Sequence, residues 1–404
     1  MFKSVTNMKR DFFEKYYNII TDILMNEFVD FWTEVSVDKE YGGYLCGFDR
    51  NGELFYEDKS VWQQGRSLWM FSKLYNEFGK QNKWLDAAKS GYDFINQYCF
   101  AKNNHMYFRV TRDGKPLVER RYYFSEAFAI MGFTEYYKAT GDINVKKRAI
   151  WLYDLFLKYY NTPGYFQPKV DPSTRIRKGH SIVMIMLNVS QSMRDIDDNP
   201  IYEKMIKSCI DTITNTFVKP EYKALFETVD ENGEFINTPE GRFLNPGHSM
   251  ETAWFLMKEA TLKNDTDLME LAIQVTDWSL QRGWDNEKGG ILYFVDVFNK
   301  PVLSLEWDMK LMWVHCEAMI ALIYSYIHTK NDQYLDKFEE IFDYTYKHFR
   351  DEGYPEWYGH LHRDGTPISH IKGSDWKGPF HNVRAFMVLS QLFEHLKNNE
   401  PIGF

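Results

Sequence analysis

The chain has 404 residues, with 48 Lys and Arg against 57 Asp and Glu and a net charge of -9. That balance argues against a nucleic-acid partner, whose phosphates call for clustered cations. No apolar stretch approaches the ~18 residues of a membrane span, and the charged sequence after Met1-Phe2-Lys3-Ser4 is no signal segment, so a cytoplasmic protein with no membrane partner is expected.

Cys46, Cys99, Cys209 and Cys316 form no CxxC pair, so neither a zinc site nor a disulfide framework is signalled. The chain also lacks HExxH, EF-hand, P-loop and Rossmann glycine patterns, so no metal, redox cofactor or nucleoside triphosphate chemistry has a motif behind it. The 27 Tyr, 31 Phe and 12 Trp are more than a core of this size needs, and such an excess suits the lining of a groove or cavity.

In chain order, the first tight turn is Asp49-Arg50-Asn51-Gly52. Asn-Gly and Asp-Gly between apolar residues tolerate positive φ and predict hairpins. A helix is predicted from about Trp62, with Trp62, Arg66 and Trp69 along one stripe, and a guanidinium framed by indoles suits a polarised carbonyl or a hydroxyl. The turn Arg112-Asp113-Gly114 precedes a helix from about Ser125, which carries Glu126 in its first turn and the apolar run 127–133. His180 opens the run 181–188, too apolar to be anything but interior.

A third turn, Glu231-Asn232-Gly233, leads to Asn245-Pro246-Gly247-His248-Ser249-Met250-Glu251 and a helix from about Ser249. Pro and Gly mark the helix start, and a spacing of three sets His248 and Glu251 on one face. The segment Gly289–Phe294 runs through Leu305-Glu306-Trp307 to a helix around His315, which includes Trp313. There His315 and Glu317, two apart, must diverge, one into a pocket and one into the wall. Residues 332–341 read as an amphipathic outer helix. The turn Arg363-Asp364-Gly365 is followed by Trp376-Lys377-Gly378-Pro379-Phe380-His381 and a helix from His381, with Arg384 on the same face.

A repeat of about 50–70 residues, each supplying a hairpin and a helix pair, points to a repeat architecture. Inner helices apolar around most of their circumference, with amphipathic partners outside, favour closure. The expected fold class is all-α: an (α/α)6 barrel, or toroid, with short β-hairpins at the active-site end, forming one domain over 1–404. Near each inner-helix start stands one ionisable residue: Arg66, Glu126, His180, His248, His315 and His381. In a closed ring these would face one pocket. Two histidines, each with an orienting neighbour, are what removal and return of a proton on one carbon requires.

The segments VWQQGRSLWMFSKLY (61–75), SEAFAIMGFTEYYKATGD (125–142), NPGHSMETAWFL (245–256), GWDNEKGGILYF (283–294), LEWDMKLMWVHCEAM (305–319) and IKGSDWKGPFHNVR (371–384) resemble the N-acylglucosamine 2-epimerase family, also known through a renin-binding protein, over nearly the whole chain. The resemblance implies an (α/α)6 barrel and reversible epimerisation at C2 of an open-chain aldose, with N-acetylglucosamine and N-acetylmannosamine as the type pair. It implies His248 and His381 as the two bases, Arg66 as stabiliser of the enediolate oxygen, and Glu251 as the acid orienting its histidine. Trp62, Glu126, His180, Glu306, Trp313, His315, Trp376 and Arg384 are the expected sugar-binding residues. A homodimer with no required cofactor is expected, with ATP at most as an activator that is not consumed, although Gln167 to Lys178 does not match the family's nucleotide loop.

The wider superfamily holds mannose and cellobiose 2-epimerases and aldose–ketose isomerases. WVHCEA (313–318) and MIMLN (184–188) resemble the N-acyl group, whereas Trp376 and Pro379-Phe380-His381-Asn382 lean toward the cellobiose or mannose pattern. A protein- or sugar-binding module without catalysis is the non-enzyme alternative.

Overall fold

A computed structural model of the chain describes residues 2–119, 122–162, 164–165, 171 and 173–400. Part of the 167–178 loop, on which the nucleotide expectation bears, lies outside the described residues. The helices are α1 (Phe2–Asp22), α2 (Asp30–Val35), α3 (Val61–Glu77), α4 (Asn82–Tyr98), α5 (Phe124–Thr140), α6 (Ile143–Asn161) and α7 (His180–Arg194). They continue with α8 (Ile201–Thr212), α9 (Pro246–Lys263), α10 (Thr266–Gly283), α11 (Met312–Thr329), α12 (Gln333–Phe349) and α13 (His381–Asn398). The inner-helix starts read from the sequence fall within about one turn of those observed. No helix among the described residues is long and apolar enough to cross a membrane.

The four Gly-containing turns form as expected. Gly52, Gly114, Gly233 and Gly365 all have φ between +85° and +91°, the left-handed region that a residue without Cβ enters freely. Around the first two, Gly47 pairs with Tyr56 and Arg109 with Val118 in short antiparallel ladders.

The contacts divide the chain into two compact units. One consists of Met1–Asp30, Thr214–His370 and His381–Phe404, the other of Phe31–Ile213 and Ile371–Phe380. In the second unit the helices pack as α3 with α4, α5 with α6, and α7 with α8, and α3 lies closely on α5. That approach is set by glycine: a Cβ on Gly65 would sit 2.5 Å from the Phe128 carbonyl carbon, and one on Gly132 would sit 2.8 Å from the Gly65 oxygen. Every residue of α5 from Ser125 to Tyr136 is buried, as an inner helix requires.

In the first unit α9 pairs with α10, α11 with α12, and α13 with α1, while α11 also packs on α9 and α13. Helix α11 is buried almost without break from Met312 to Tyr326. Helix α12 buries one side, Leu335, Phe338, Ile341, Phe342, Tyr344, Thr345 and Phe349, largely at the i, i+3, i+4 spacing of an outer helix. On α1, Tyr16 stacks on Phe393 of α13 at 5.7 Å.

Each unit holds one copy of the same polar staple. In VDKEYGGYL (37–45), Asp38 receives Lys59 Nζ at 2.8 Å and Arg112 through Nε and Nη2 at 3.0 and 3.1 Å, while Lys59 also donates to the Gly42 carbonyl at 2.7 Å. In WDNEKGGIL (284–292), Asp285 receives Lys310 Nζ at 3.1 Å and Arg363 through Nε and Nη2 at 2.7 and 3.1 Å, while Lys310 reaches the Gly290 carbonyl at 3.3 Å. Both lysines are fully buried. Burial pulls Lys310 down to about 8 despite the attraction of Asp285. Burial works to raise the two aspartates, but their arginine and lysine partners outweigh it and hold both carboxyls well below the usual range.

Candidate active site

In the first unit, Asn245 caps α9: its side-chain oxygen accepts the His248 backbone N–H at 3.2 Å, and Pro246 follows at the first helical position, where its missing N–H costs nothing. His248 therefore enters in the first turn, and His381 is the first residue of α13. Both imidazoles pack against Trp313, in the first turn of α11, with ring centroids 5.4 Å from His248 and 5.3 Å from His381 and the same interplanar angle of 41° to each. The two rings thus lie closer than the sum of those distances, within the ~15 Å that one sugar plus a hydrogen bond at each end spans. Only glycine lets α9 start against this indole, since a Cβ on Gly247 would lie 2.5 Å from the Trp313 ring.

Each histidine has its own carboxylate. His248 Nδ1 lies 3.1 Å from both oxygens of Glu227, and His381 Nδ1 lies 2.8 Å from Glu317 Oε1. A carboxylate accepts only, so each Nδ1 carries the proton and each Nε2 is left as the basic nitrogen. The side chains of His248 and His381 are 28% and 21% exposed, enough for a small molecule to reach them. Burial alone would lower the proton affinity of His248, but Glu227, by charge and hydrogen bond, and then Glu251 and Glu317 more than offset it, and the net shift is upward.

Behind His381 the network is denser. Arg384 Nη2 donates to Glu251 Oε1, to Glu317 Oε1 at 2.7 Å, and lies 3.4 Å from His381 Nδ1. Glu317 Oε2 accepts Trp254 Nε1–H at 2.8 Å. Glu251, Glu317 and His381 each offer a potential ligand atom within 4.8 Å of the others, and the Arg384 guanidinium rests on both carboxylates as their cation.

Several expectations are corrected here. Glu251 does not hold the His248 ring: its carboxylate goes to Arg384, and Glu227 holds the ring instead. Arg384, 4% exposed, is committed to two buried carboxylates and is a strut within the protein, not a sugar ligand. His315 is fully buried, with Nδ1 donating to the Leu311 carbonyl at 2.8 Å and Nε2 accepting the Ile291 N–H at 2.9 Å. It stacks on Tyr344 at 5.4 Å, and burial pushes it down to about 3, so it is a neutral wall residue and Glu317 is the one that turns toward the histidines. Glu306 sits exposed in a turn and accepts from Ser304 Oγ at 2.7 Å, outside the histidine cluster.

In the second unit, the Arg66 guanidinium lies over Phe128 at 4.1 Å, Phe380 at 5.0 Å and Trp62 at 5.7 Å. Trp62 meets Trp376 edge-on at 5.9 Å, and Trp376 is 49% exposed. Glu126 is buried, with Oε1 accepting the Met106 N–H at 3.0 Å, and His180 is fully buried at the start of α7.

Sequence reasoning missed Glu227 and Trp254. Glu227 lies between the short strands at 224–225 and 228–230, and the one available signal was an acidic residue inside the apolar stretch Ala224-Leu225-Phe226-Glu227-Thr228-Val229. Because Glu227 raises the folded-state proton affinity of His248, the pairing contributes stability that is full below the ordinary imidazole range and is lost as pH rises through the folded value. Unfolding free energies of Glu227→Gln and wild type, measured from pH 5.5 to 9, are therefore expected to differ most at the acidic end and to converge at the alkaline end. A gap independent of pH would contradict the pairing.

The family model for N-acylglucosamine 2-epimerase (GlcNAc 2-epimerase) matches residues 42–385. The chain is 33% identical over 384 residues to the N-acylglucosamine 2-epimerase of Bos taurus, covering 92% of this chain and 90% of that protein. It is 24% identical over 383 residues to the cellobiose 2-epimerase of Dictyoglomus turgidum, covering 90% and 95%. A solved cellobiose 2-epimerase from Bacillus thermoamylovorans superposes with a TM-score of 0.82 at 22% identity, over 94% of this chain and 99% of that one. This likeness shows the fold, the (α/α)6-barrel class expected from the repeats. With the match running through both histidine motifs, the chain belongs to the N-acylglucosamine 2-epimerase family.

Proposed function

We propose that this protein is a sugar 2-epimerase that interconverts N-acetyl-D-glucosamine and N-acetyl-D-mannosamine. The observation that carries the reading is the pair of imidazoles packed against Trp313, each with Nδ1 on a carboxylate and Nε2 left basic. In the open-chain sugar the C2 proton is adjacent to the C1 aldehyde. One Nε2 takes that proton, the electron pair of the C2–H bond flows into the carbonyl to give a C1 enolate whose C2 still carries the acetamide nitrogen, and the other imidazolium returns a proton to C2 on the opposite face. Atoms and charge balance without any oxidant. Arg66, carried over from the family motif, is proposed to stabilise the enolate oxygen at C1, as preorganised charge does where charge develops.

The acetamide reading rests on the stronger likeness to N-acylglucosamine 2-epimerases. Trp376, with half its surface open, favours a second reading, an unmodified or β-linked sugar stacked on the indole. Comparing kcat/KM for N-acetylmannosamine, mannose and cellobiose on one preparation decides between them. A site that hydrogen-bonds the acetamide is expected to favour N-acetylmannosamine by roughly a hundredfold or more, because its buried polar groups are left unpaired by the other sugars. Faster turnover of mannose or cellobiose would overturn the acetamide reading and leave the two-histidine chemistry in place. A single-domain cytoplasmic homodimer with no required cofactor, and ATP at most as an unconsumed activator, belongs to the same proposal.

A further inference from the structure

Glu317 accepts three donors, His381 Nδ1–H, Arg384 Nη2–H and Trp254 Nε1–H, so its carboxylate is held in place from three directions. The guanidinium that shares it is itself fixed, lying over Trp254 at 5.2 Å and Phe255 at 5.8 Å and held from the far side by Glu251. Its Nη2 stands 3.4 Å from His381 Nδ1. The charged groups around the ring are thus Glu317 from α11, Arg384 from α13 and Glu251 from α9, with His248 of α9 against the same Trp313 ring.

We propose that Arg384 is a positioning residue for the two-histidine reaction: it fixes the Glu317 carboxylate against His381 and opposes a second positive charge on that ring, which keeps His381 the base of the resting protein. This deepens the epimerase reading and rests on it for the word base. A like charge beside a titrating group disfavours its charged form, and a hydrogen-bonded carboxylate fixes its tautomer. Burial opposes the charge on Arg384, but Glu317 and Glu251 outweigh it and push its proton affinity further up, so the guanidinium stays charged throughout the working range.

The test is imidazole NMR on the substrate-free protein, with pH profiles of kcat/KM alongside. In wild type, His381 is expected as the Nδ1–H tautomer and to take up its second proton only after His248 has done so as pH falls. In Arg384→Gln, which keeps an amide donor but no charge, the His381 ring should hold its proton to higher pH, and the acidic limb of kcat/KM should move up with it. Arg384→Lys, which restores a cation, should bring the limb back toward wild type. His381 protonating first in wild type overturns the proposal without any variant having to fold. So does an Arg384→Gln titration that matches wild type. Since the titration needs no sugar, a ring that behaves as expected in a protein inactive on every aldose would overturn the epimerase reading and leave the role of Arg384 intact.

Discussion

In deuterium oxide, His248→Ala and His381→Ala are each expected to lose net C2 epimerisation by about 10²–10⁴-fold, the usual contribution of a positioned acid or base. Each variant keeps one imidazole, so one of them should still exchange the C2 hydrogen of the epimer that its remaining base faces while failing to invert the centre. The reason lies in the placement of the two rings, both against Trp313 and each with its own carboxylate. A single base could invert C2 only if the enolate turned over within the site, and a second oriented histidine would then be superfluous. Both side chains are partly exposed, so truncation leaves no buried cavity and the loss reads as chemistry. Full activity in either variant would defeat the two-base mechanism.

Asp285→Asn is expected to destabilise the first unit by about 3–5 kcal/mol, the cost of leaving a buried charge without its partner. Lys310 is fully buried, and without the Asp285 charge its ammonium keeps only neutral acceptors, the Gly290 carbonyl and the amide oxygen that replaces the carboxylate. Asp285 also accepts two bonds from Arg363, and an amide in its place forfeits both charge-assisted contacts. Urea unfolding should show a lower midpoint at an unchanged slope. The double variant Asp285→Asn/Lys310→Met should recover much of the loss, because replacing a buried ion pair with apolar groups is often near neutral. Asp38→Asn should behave alike, as Lys59 is equally buried and Arg112 equally bidentate. A loss below about 1 kcal/mol, the range of a surface pair, would show that water reaches the staple.

The parts of the site legible in the sequence are those set by neighbours a few residues apart. Helix starts followed from Pro246 and Gly247 before His248, and from Gly378 and Pro379 before His381; hairpins followed from glycines at positive φ. The partners that orient the histidines were not legible, because their pairings join residues far apart in the chain. Glu227 stands 21 positions before His248, Glu317 stands 64 before His381, and Glu251 stands 133 before Arg384. A spacing of three makes two side chains neighbours on a helix, but it does not say whether a third element offers one of them a better partner. His315 was misassigned for a related reason. Residues two apart on a helix point roughly 200° from each other, so one of His315 and Glu317 had to face α12, and the choice depended on Tyr344 and Phe349, which that reading did not bring to bear.

The pairing of α1 with α13 bears on how the chain matures on the ribosome. Phe13 and Tyr16 of α1 contact Phe393 of α13, yet these partners lie about 380 positions apart in the chain. At about 5–20 residues per second, α1 waits roughly 20–75 s for Phe393, after Tyr326, Phe338 and Phe342 have been made for the same face. Until then part of that face stays open to chaperones or non-native contacts, and the helix that completes its cover also delivers His381. Completing the cover of α1 and arrival of the second histidine are therefore one event in the life of the nascent chain.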